Sequence, residues 1–242
     1  MKYAVVIPAR YQSSRFPGKP LIDLNGKSMI QHVWERCCLA VGQELVYIAT
    51  DSEKIEEVCT GFGGQVIMTS SSCMTGTDRL AEANKKLNAD FIINVQGDEP
   101  LIEPDDICKV IEAYKKEPNT IVNAMCKIES EEEFRSFTVP KVVVSKSNKL
   151  LYMSRSAIPL SKANQFHFAY KQVCIYAFSK CHLEFFAAHS AKTEIEQIED
   201  IEILRFLESD IAVQMIEVEA SSIAIDVPED VEKVLSRLRH NG

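Results

Sequence analysis

Apolar and polar positions along the 242 residues switch repeatedly between a strand-like and a helix-like period. Ala4 to Pro8 is a short apolar run that predicts a buried strand, and Ser28-Met29-Ile30-Gln31 reads as a capping box opening a helix to about Leu39. Glu44 to Thr50 is the next predicted strand. Ser52 then caps a helix with Ile55, Val58 and Phe62 on one face, stopped by Gly63-Gly64. Gln65 to Met68 predicts a short strand, and Thr77 begins a helix through Leu87. Asp90 to Gln96 is almost wholly apolar, as strands in the middle of a parallel sheet are, because both of their faces are covered. Pro104 opens a helix to about Lys116, in the first turn where a missing N–H costs nothing.

This strand–helix alternation over the first 120 or so residues predicts a doubly wound, mostly parallel α/β sheet. The pattern then changes. Lys141 to Ser145 and Lys149 to Met153 flank the polar turn Lys146-Ser147-Asn148 as a hairpin would, and Ile158 to Lys171 has no period and reads as loop. Cys174 to Phe178 is another strand, followed by helices near Lys180 to His189 and Glu199 to Ser209. Strands at Ala212 to Val218 and Ile223 to Ile225, and a helix from Pro228, close the chain. No Gly, Ser or Pro linker divides these parts, so a single domain over 1–242 is expected. Its core comprises about 1–135 and 190–242, and an antiparallel subregion is inserted at about 136–189.

Composition narrows the function classes. The chain is 46% hydrophobic and 26% charged, which excludes wholesale disorder, and no apolar run approaches the roughly 18 residues of a spanning helix. The opening run Tyr3 to Ile7 is too short for a signal peptide and ends at Pro8, so a cytoplasmic location is expected. A net charge of −8 disfavours nucleic acid as partner. Up to Arg36, however, Lys2, Arg10, Arg15, Lys19, Lys27 and Arg36 face only Asp23 and Glu35, a local cationic cluster suited to a small anion. The eight cysteines form no CxxC pair and no zinc-ligand spacing, and read as reduced thiols that pack as small hydrophobes.

Three segments carry candidate chemistry. The loop from Pro8 to Pro20 follows the first strand, where open α/β sheets bind ligands, and holds Arg10, Ser13, Ser14, Arg15, Gly18 and Lys19. Two guanidinium forks, a lysine point charge and hydroxyl donors suit a polyphosphate, although the loop is neither a Walker A nor a GxGxxG sequence. In Asn94-Val95-Gln96-Gly97-Asp98-Glu99-Pro100, Asp98 ends the most buried strand and is placed as a Mg²⁺ ligand; a plain turn is the competing reading. Asp226 follows a short apolar strand and serves equally well as a helix cap or, paired with Asp98, as a second carboxylate on the metal. Thr75 to Arg79 is either a loop facing a nucleobase or a capped helix entry. The five histidines form no constellation, so general-base histidine catalysis has no support.

The stretches IPARYQSSRFPGKPL, INVQGDEPLI, TGTDRLAE, KVVVSKSNKLLYMSRSAIP and IDVPEDVEKV resemble the 3-deoxy-manno-octulosonate (Kdo) cytidylyltransferases, or CMP-Kdo synthetases, over nearly the whole chain. The resemblance implies a nucleotide-diphospho-sugar transferase-like fold, with the antiparallel subregion serving sugar binding and dimerisation in a homodimer. It implies transfer from CTP to a 3-deoxy-ulosonic acid, giving CMP-sugar and pyrophosphate with Mg²⁺, for lipopolysaccharide or capsule synthesis. Arg10, Ser13, Arg15 and Lys19 would then hold the CTP phosphates, Thr77 and Asp78 would lie near the cytidine, and Gln96 and Asp98 would lie at the base and the metal. Asp226 would be the second metal carboxylate, with Lys19, Asp98 and Asp226 the catalytic set. Arg155 and Tyr176 would line the sugar pocket and Glu202 would reach the sugar hydroxyls.

Three positions depart from the family pattern: Gln172 stands where it typically has His, Cys174 where it has Gly, and Ile203 where it has Gln. All lie on the sugar side, where lost or gained polar partners discriminate strongly between substrates. They leave open the same reaction on another acidic sugar, 8-amino-Kdo or a sialic-like nonulosonate. A CTP-binding module without turnover is the reading from a different class, and the intact Asp98 and Asp226 speak against it.

Overall fold

In the computed structural model, residues 1–12, 16–219, 224–225 and 228–240 (His240 by its backbone) are described, and the opening apolar run forms strand β1 (Tyr3–Ala9). A short pair, β2 (Asp23–Leu24) and β3 (Lys27–Ser28), leads to helix α1 (Met29–Val41), then β4 (Val46–Thr50) and α2 (Glu53–Gly61). After these come β5 (Gln65–Met68), α3 (Gly76–Leu87), β6 (Phe91–Val95) and α4 (Pro104–Lys116). The chain continues with β7 (Ile121–Lys127), α5 (Glu131–Arg135), the hairpin β8 (Lys141–Val144) and β9 (Leu150–Ser154), and the long strand β10 (Tyr170–Ser179). Helices α6 (Lys180–Ala187), α7 (Glu194–Glu199) and α8 (Leu204–Glu208), strand β11 (Val213–Glu217) and helix α9 (Asp230–His240) follow.

The main sheet runs β11–β7–β10–β6–β1–β4–β5, with β8 paired to β10 and β9 to β8. β1 pairs in parallel with β4 and β6, β4 with β5, and β7 with β11, so the expected mostly parallel α/β sheet is present. Alternation along β1 builds a core on each face. Val5 and Ile7 pack with Ile30 and Val33 of α1 and Ile107 and Val110 of α4, while Ala4 and Val6 join Leu80 of α3, Phe186 of α6 and Phe206 of α8. Every residue of β6 is buried, and Phe91 stacks between Tyr3 (5.1 Å) and Tyr114 (4.3 Å). Each such burial contributes roughly 1.5–3 kcal/mol.

The departures from expectation have physical causes. The strand anticipated at Cys174 to Phe178 is ten residues long and lies inside the main sheet, antiparallel between β6 and β7. Strand β7 was not signalled by the hydrophobic pattern, because Asn123 interrupts its apolar run. The helix expected at Glu199 to Ser209 forms only as α8, from Leu204 to Glu208; α7 precedes it and ends at Glu199, where Asp200 adopts φ +52°. The capping box at Ser28 does not form; Gln31 donates instead to Glu35 at 3.1 Å. Ser52 makes no side-chain cap, and Cys59 rather than the exposed Val58 is buried beside Ile55. Among the described residues the cysteines are all free.

Candidate active site

Parallel strands that end together leave a crevice where their connections part, and here a cleft of about 1120 Å³ follows the carboxyl ends of β1, β6, β7 and β11. Because β10 runs the other way, its first half crosses the same region and forms the opposite wall. Eight of the expected site residues line this one cleft: Arg10, Lys19, Gln96 and Asp98 on the side of β1 and β6, Arg155 and Gln172 on the side of β9 and β10, with Tyr176 at the floor and Glu202 against the start of α3. Thr77 and Asp78 lie behind the lining, at the start of α3. Ser13, Arg15 and Asp226 fall outside the described residues.

On the first side the loop after β1 folds back through Gly18, whose φ of +74° suits glycine and whose N–H donates to Tyr11 O at 2.8 Å. This aims Lys19 at the end of β6. Lys19 Nζ lies 3.1 Å from Asp98 Oδ2 and donates to Ile225 O at 2.8 Å, and Ile225 N donates to Asp98 O at 2.9 Å. Three distant segments thus meet at Asp98, and Ile225 is the residue before Asp226 in sequence. The second carboxylate oxygen, Asp98 Oδ1, is buried with no partner among the described residues. A hard oxygen donor left without a protein N–H fits a divalent cation such as Mg²⁺, which takes only one or two carboxylates when phosphates complete its shell. No group of three or more His, Cys, Asp or Glu that would cage a metal by itself occurs among the described residues.

The entry to α3 is a capped helix start. Thr75 accepts from Asp78 N at 3.2 Å and the Asp78 carboxylate accepts from Thr75 N at 3.0 Å, a complete capping box that commits Asp78 to the helix. Thr77 is buried, and its N–H and hydroxyl both donate to Glu202 Oε2, at 2.8 and 2.5 Å. Glu202 Oε1 takes Gly76 N at 3.1 Å. Where free contact with sugar hydroxyls was expected, both oxygens of Glu202 therefore meet the positive end of α3. Burial raises its pKa, and the bonds from Thr77 and Gly76 work against that rise.

On the other wall, Arg155 Nε donates to Glu199 O at 2.6 Å, Nη1 to Phe137 O at 3.1 Å and Nη2 to Asp200 O at 3.1 Å. Its fork ties the end of β9 to α7 and keeps one N–H on each terminal nitrogen for a ligand. Tyr176 is buried at the floor, and burial, with Cys174 and Glu202 beside it, holds its hydroxyl well above the ordinary 10.0. Burial, and next Glu99, pushes the Cys174 thiol up as well, so it stays protonated and packs rather than reacts.

Sequence reasoning missed three residues. Glu99 is buried in the cleft floor and takes Cys174 N at 3.1 Å, a role visible only once β10 is known to pass there. Asn123, fully buried, is the interruption that concealed β7 and is itself the signal. Lys141 opens an apolar strand, and nothing in sequence marks it. Its fully buried ammonium donates to the carbonyls of Ser136 (2.7 Å), Val139 (2.6 Å) and Arg155 (2.5 Å), bracing the segment that forms the cleft edge.

A family model described as cytidylyltransferase matches residues 4–216. The chain is 40% identical to the 8-amino-3,8-dideoxy-manno-octulosonate cytidylyltransferases of Shewanella baltica strain OS155 and Shewanella putrefaciens strain CN-32, over 98% of this chain and 99% of each relative. A solved CMP:2-keto-3-deoxy-manno-octonic acid synthetase complexed with CTP superposes with a TM-score of 0.91 at 38% identity, covering the whole of both chains. A cytidylyltransferase from Leptospira borgpetersenii shares the fold at 18% identity and a TM-score of 0.68, over 99% of this chain and 87% of that one. The match of the family model across most of the sequence, and of the 40% identical relatives across nearly all of it, places the chain among the cytidylyltransferases, in the group of manno-octulosonate enzymes.

Proposed function

We propose that the chain transfers the cytidylyl group of CTP to Kdo, releasing pyrophosphate. The observation that carries this reading is the cleft in which Arg10, Lys19 and Asp98, whose Oδ1 has no partner among the described residues, come together with Arg155, Gln172, Tyr176 and Glu202. The anomeric hydroxyl of the sugar attacks the α-phosphorus; the new O–P bond forms, the bond to pyrophosphate breaks, and the hydroxyl proton passes to water. Arg10, Arg15 and Lys19 bind the phosphates and neutralise the charge that grows on the departing pyrophosphate. Gln96, with Thr77 and Asp78 behind it, bounds the cytidine side. Asp98 and Asp226 are the residues to hold Mg²⁺, supported by the Asp98 oxygen and by the bond from Ile225; when bound, the ion would supply neutralising charge at the transferring group.

The amide of Gln172 and the named function of the Shewanella relatives favour 8-amino-Kdo as a second reading. Pyrophosphate release from CTP with Mg²⁺ and each sugar in parallel tests both. Release with Kdo supports the first reading, release with the amino sugar alone moves the assignment to the second, and CTP binding with no release on either overturns both.

Residues 136–189 are the proposed sugar-binding and dimer subregion. Leu151 (59% exposed) and Tyr152 on β9 and Ile198 (81%) on α7 are exposed apolar side chains, and the Tyr152 hydroxyl donates to Glu199, the residue after Ile198, at 3.4 Å; this exposed apolar area supports a homodimer. Sedimentation at twice the chain mass of 27.2 kDa is expected. Among the described residues no helix is long and apolar enough to cross a membrane, which agrees with the proposed cytoplasmic location.

A further inference from the structure

The pairing of β10 with β7 breaks where β10 lines the cleft. Val173 faces Ala124 and Tyr176 faces Asn123, which are neighbours on β7, so Cys174 and Ile175 are surplus on β10. On its other edge β10 keeps regular register with β6, Ile175 opposite Val95. A bulge strands backbone groups that the ladder would have paired. Here four of them find specific partners. Asn123 Nδ2 donates to Val173 O and Ile175 O, both at 3.0 Å, Cys174 N reaches Glu99 Oε1 at 3.1 Å, and Cys174 O accepts from Gln96 N at 3.1 Å. Asn123 Oδ1 accepts from Gln172 Nε2 at 3.2 Å.

The chemistry of the amide fixes more than the bulge. A primary amide has two N–H donors and one carbonyl acceptor, and its orientation follows from what surrounds it. Both N–H groups of Asn123 face backbone carbonyls, which only accept, so turning the amide over would set oxygen against two oxygens. Oδ1 therefore points to Gln172, and since it only accepts, Gln172 must bring its NH₂ end there. The Gln172 carbonyl oxygen, with the second N–H of its NH₂, is what remains for the cleft, and the oxygen is the only acceptor the side chain has.

We infer that Asn123 is a positioning residue for sugar recognition, which locks the β10 bulge and orients Gln172 so that it offers a hydrogen-bond acceptor, selecting a sugar that presents a hydroxyl or ammonium at that point. This rests on the proposed cytidylyl transfer to an acidic sugar. A site built around one polar partner rejects analogues that cannot supply it far more strongly than an apolar pocket rejects a wrong size.

The test is steady-state pyrophosphate release by the full chain, with Kdo and 8-amino-Kdo as acceptors, for the unaltered protein, Gln172→Met, Asn123→Ala and the double variant. Each single change is expected to raise the sugar KM about tenfold or more on the better acceptor and to leave the CTP KM within about twofold. The double variant should lose no more than about twofold beyond the worse single, since both remove one shared contact. Additive losses, or a CTP KM that rises in step with the sugar KM, overturn the inference. Should Asn123→Ala fail to fold, Gln172→Met decides alone: a raised sugar KM supports the inference and an unchanged one overturns it. If the unaltered chain releases no pyrophosphate with either sugar, the proposed function falls and takes the inference with it; release by the unaltered chain with additive variants defeats the inference alone.

Discussion

The two walls of the cleft are held up in different ways. The wall that bears Arg10, Lys19, Gln96 and Asp98 hangs on β1, β4 and β6, whose buried side chains, apart from Thr50 and Asn94, are apolar and packed on both faces. The wall that bears Arg155, Gln172 and Tyr176 hangs on polar groups held by backbone carbonyls: the buried Lys141 ammonium on three, the buried Asn123 amide on two, and the half-buried Arg155 fork on three more. Apolar burial is non-directional and tolerates small changes, whereas a buried donor removed leaves its acceptors without water or partner. The nucleotide side is thus a scaffold of bulk, and the sugar side a scaffold of direction.

The sharpest test of the nucleotide wall is Asp98→Asn, which keeps shape and removes charge. Turnover is expected to fall about a hundredfold or more in a pyrophosphate-release assay, with CTP affinity by calorimetry changed little. Unchanged turnover would remove Asp98 from the reaction.

On the sugar wall, Lys141→Met is expected to cost about 1–3 kcal/mol in urea unfolding, because three part-buried carbonyls lose the ammonium that donates to them. The sugar KM should rise in the folded fraction while the CTP KM holds; equal change in both would erase the contrast between the walls. The same variant carries a pH signature. Burial, with Arg155 beside it, lowers Lys141 from 10.5 to about 8. Between those values the unfolded chain holds the proton that the folded chain has given up, so the contribution of Lys141 to stability rises with pH, by at most about 1.4 kcal/mol per unit. Burial pushes the Cys59 and Cys126 thiols from 9.0 to about 12, so the folded chain keeps protons that the unfolded one loses, and their contribution falls above pH 9. The other buried thiols act in the same direction from about pH 8, so the lysine is isolated by subtracting the Lys141→Met profile from that of the unaltered chain, and the difference should rise between pH 8 and 10.5.

Lys19→Ala is expected to raise the CTP KM about tenfold, the worth of one charged contact, and no change would take Lys19 out of the phosphate site. The smallest effect belongs to Thr75→Ala, which opens the capping box of α3 and should cost about 1 kcal/mol by urea unfolding.

The same contrast explains what was legible in the sequence. Apolar periodicity reports bulk, so β1, β4, β5, β6 and the helices between them were readable within a few residues, and the family resemblance supplied the residues that line the cleft. Direction leaves no periodic trace. Asn123 read as an interruption and hid β7, and Lys141 looked like the polar edge of a hairpin. Glu202 was named for its carboxylate, but only the fold shows that α3 already occupies it.

The strand β10 also bears on how this pocket can change over generations. It is zipped on both edges, to β6 at Ile175 and to β7 at Tyr176, so it has no free side along which to slide. Losing or gaining one residue would turn Gln172 or Tyr176 to the opposite face of the sheet. Beyond the bulge already built in, a change of length here is expected to disturb the pocket, whereas a single exchange leaves the register intact. The three departures from the family pattern, at Gln172, Cys174 and Ile203, are all exchanges that leave chain length untouched.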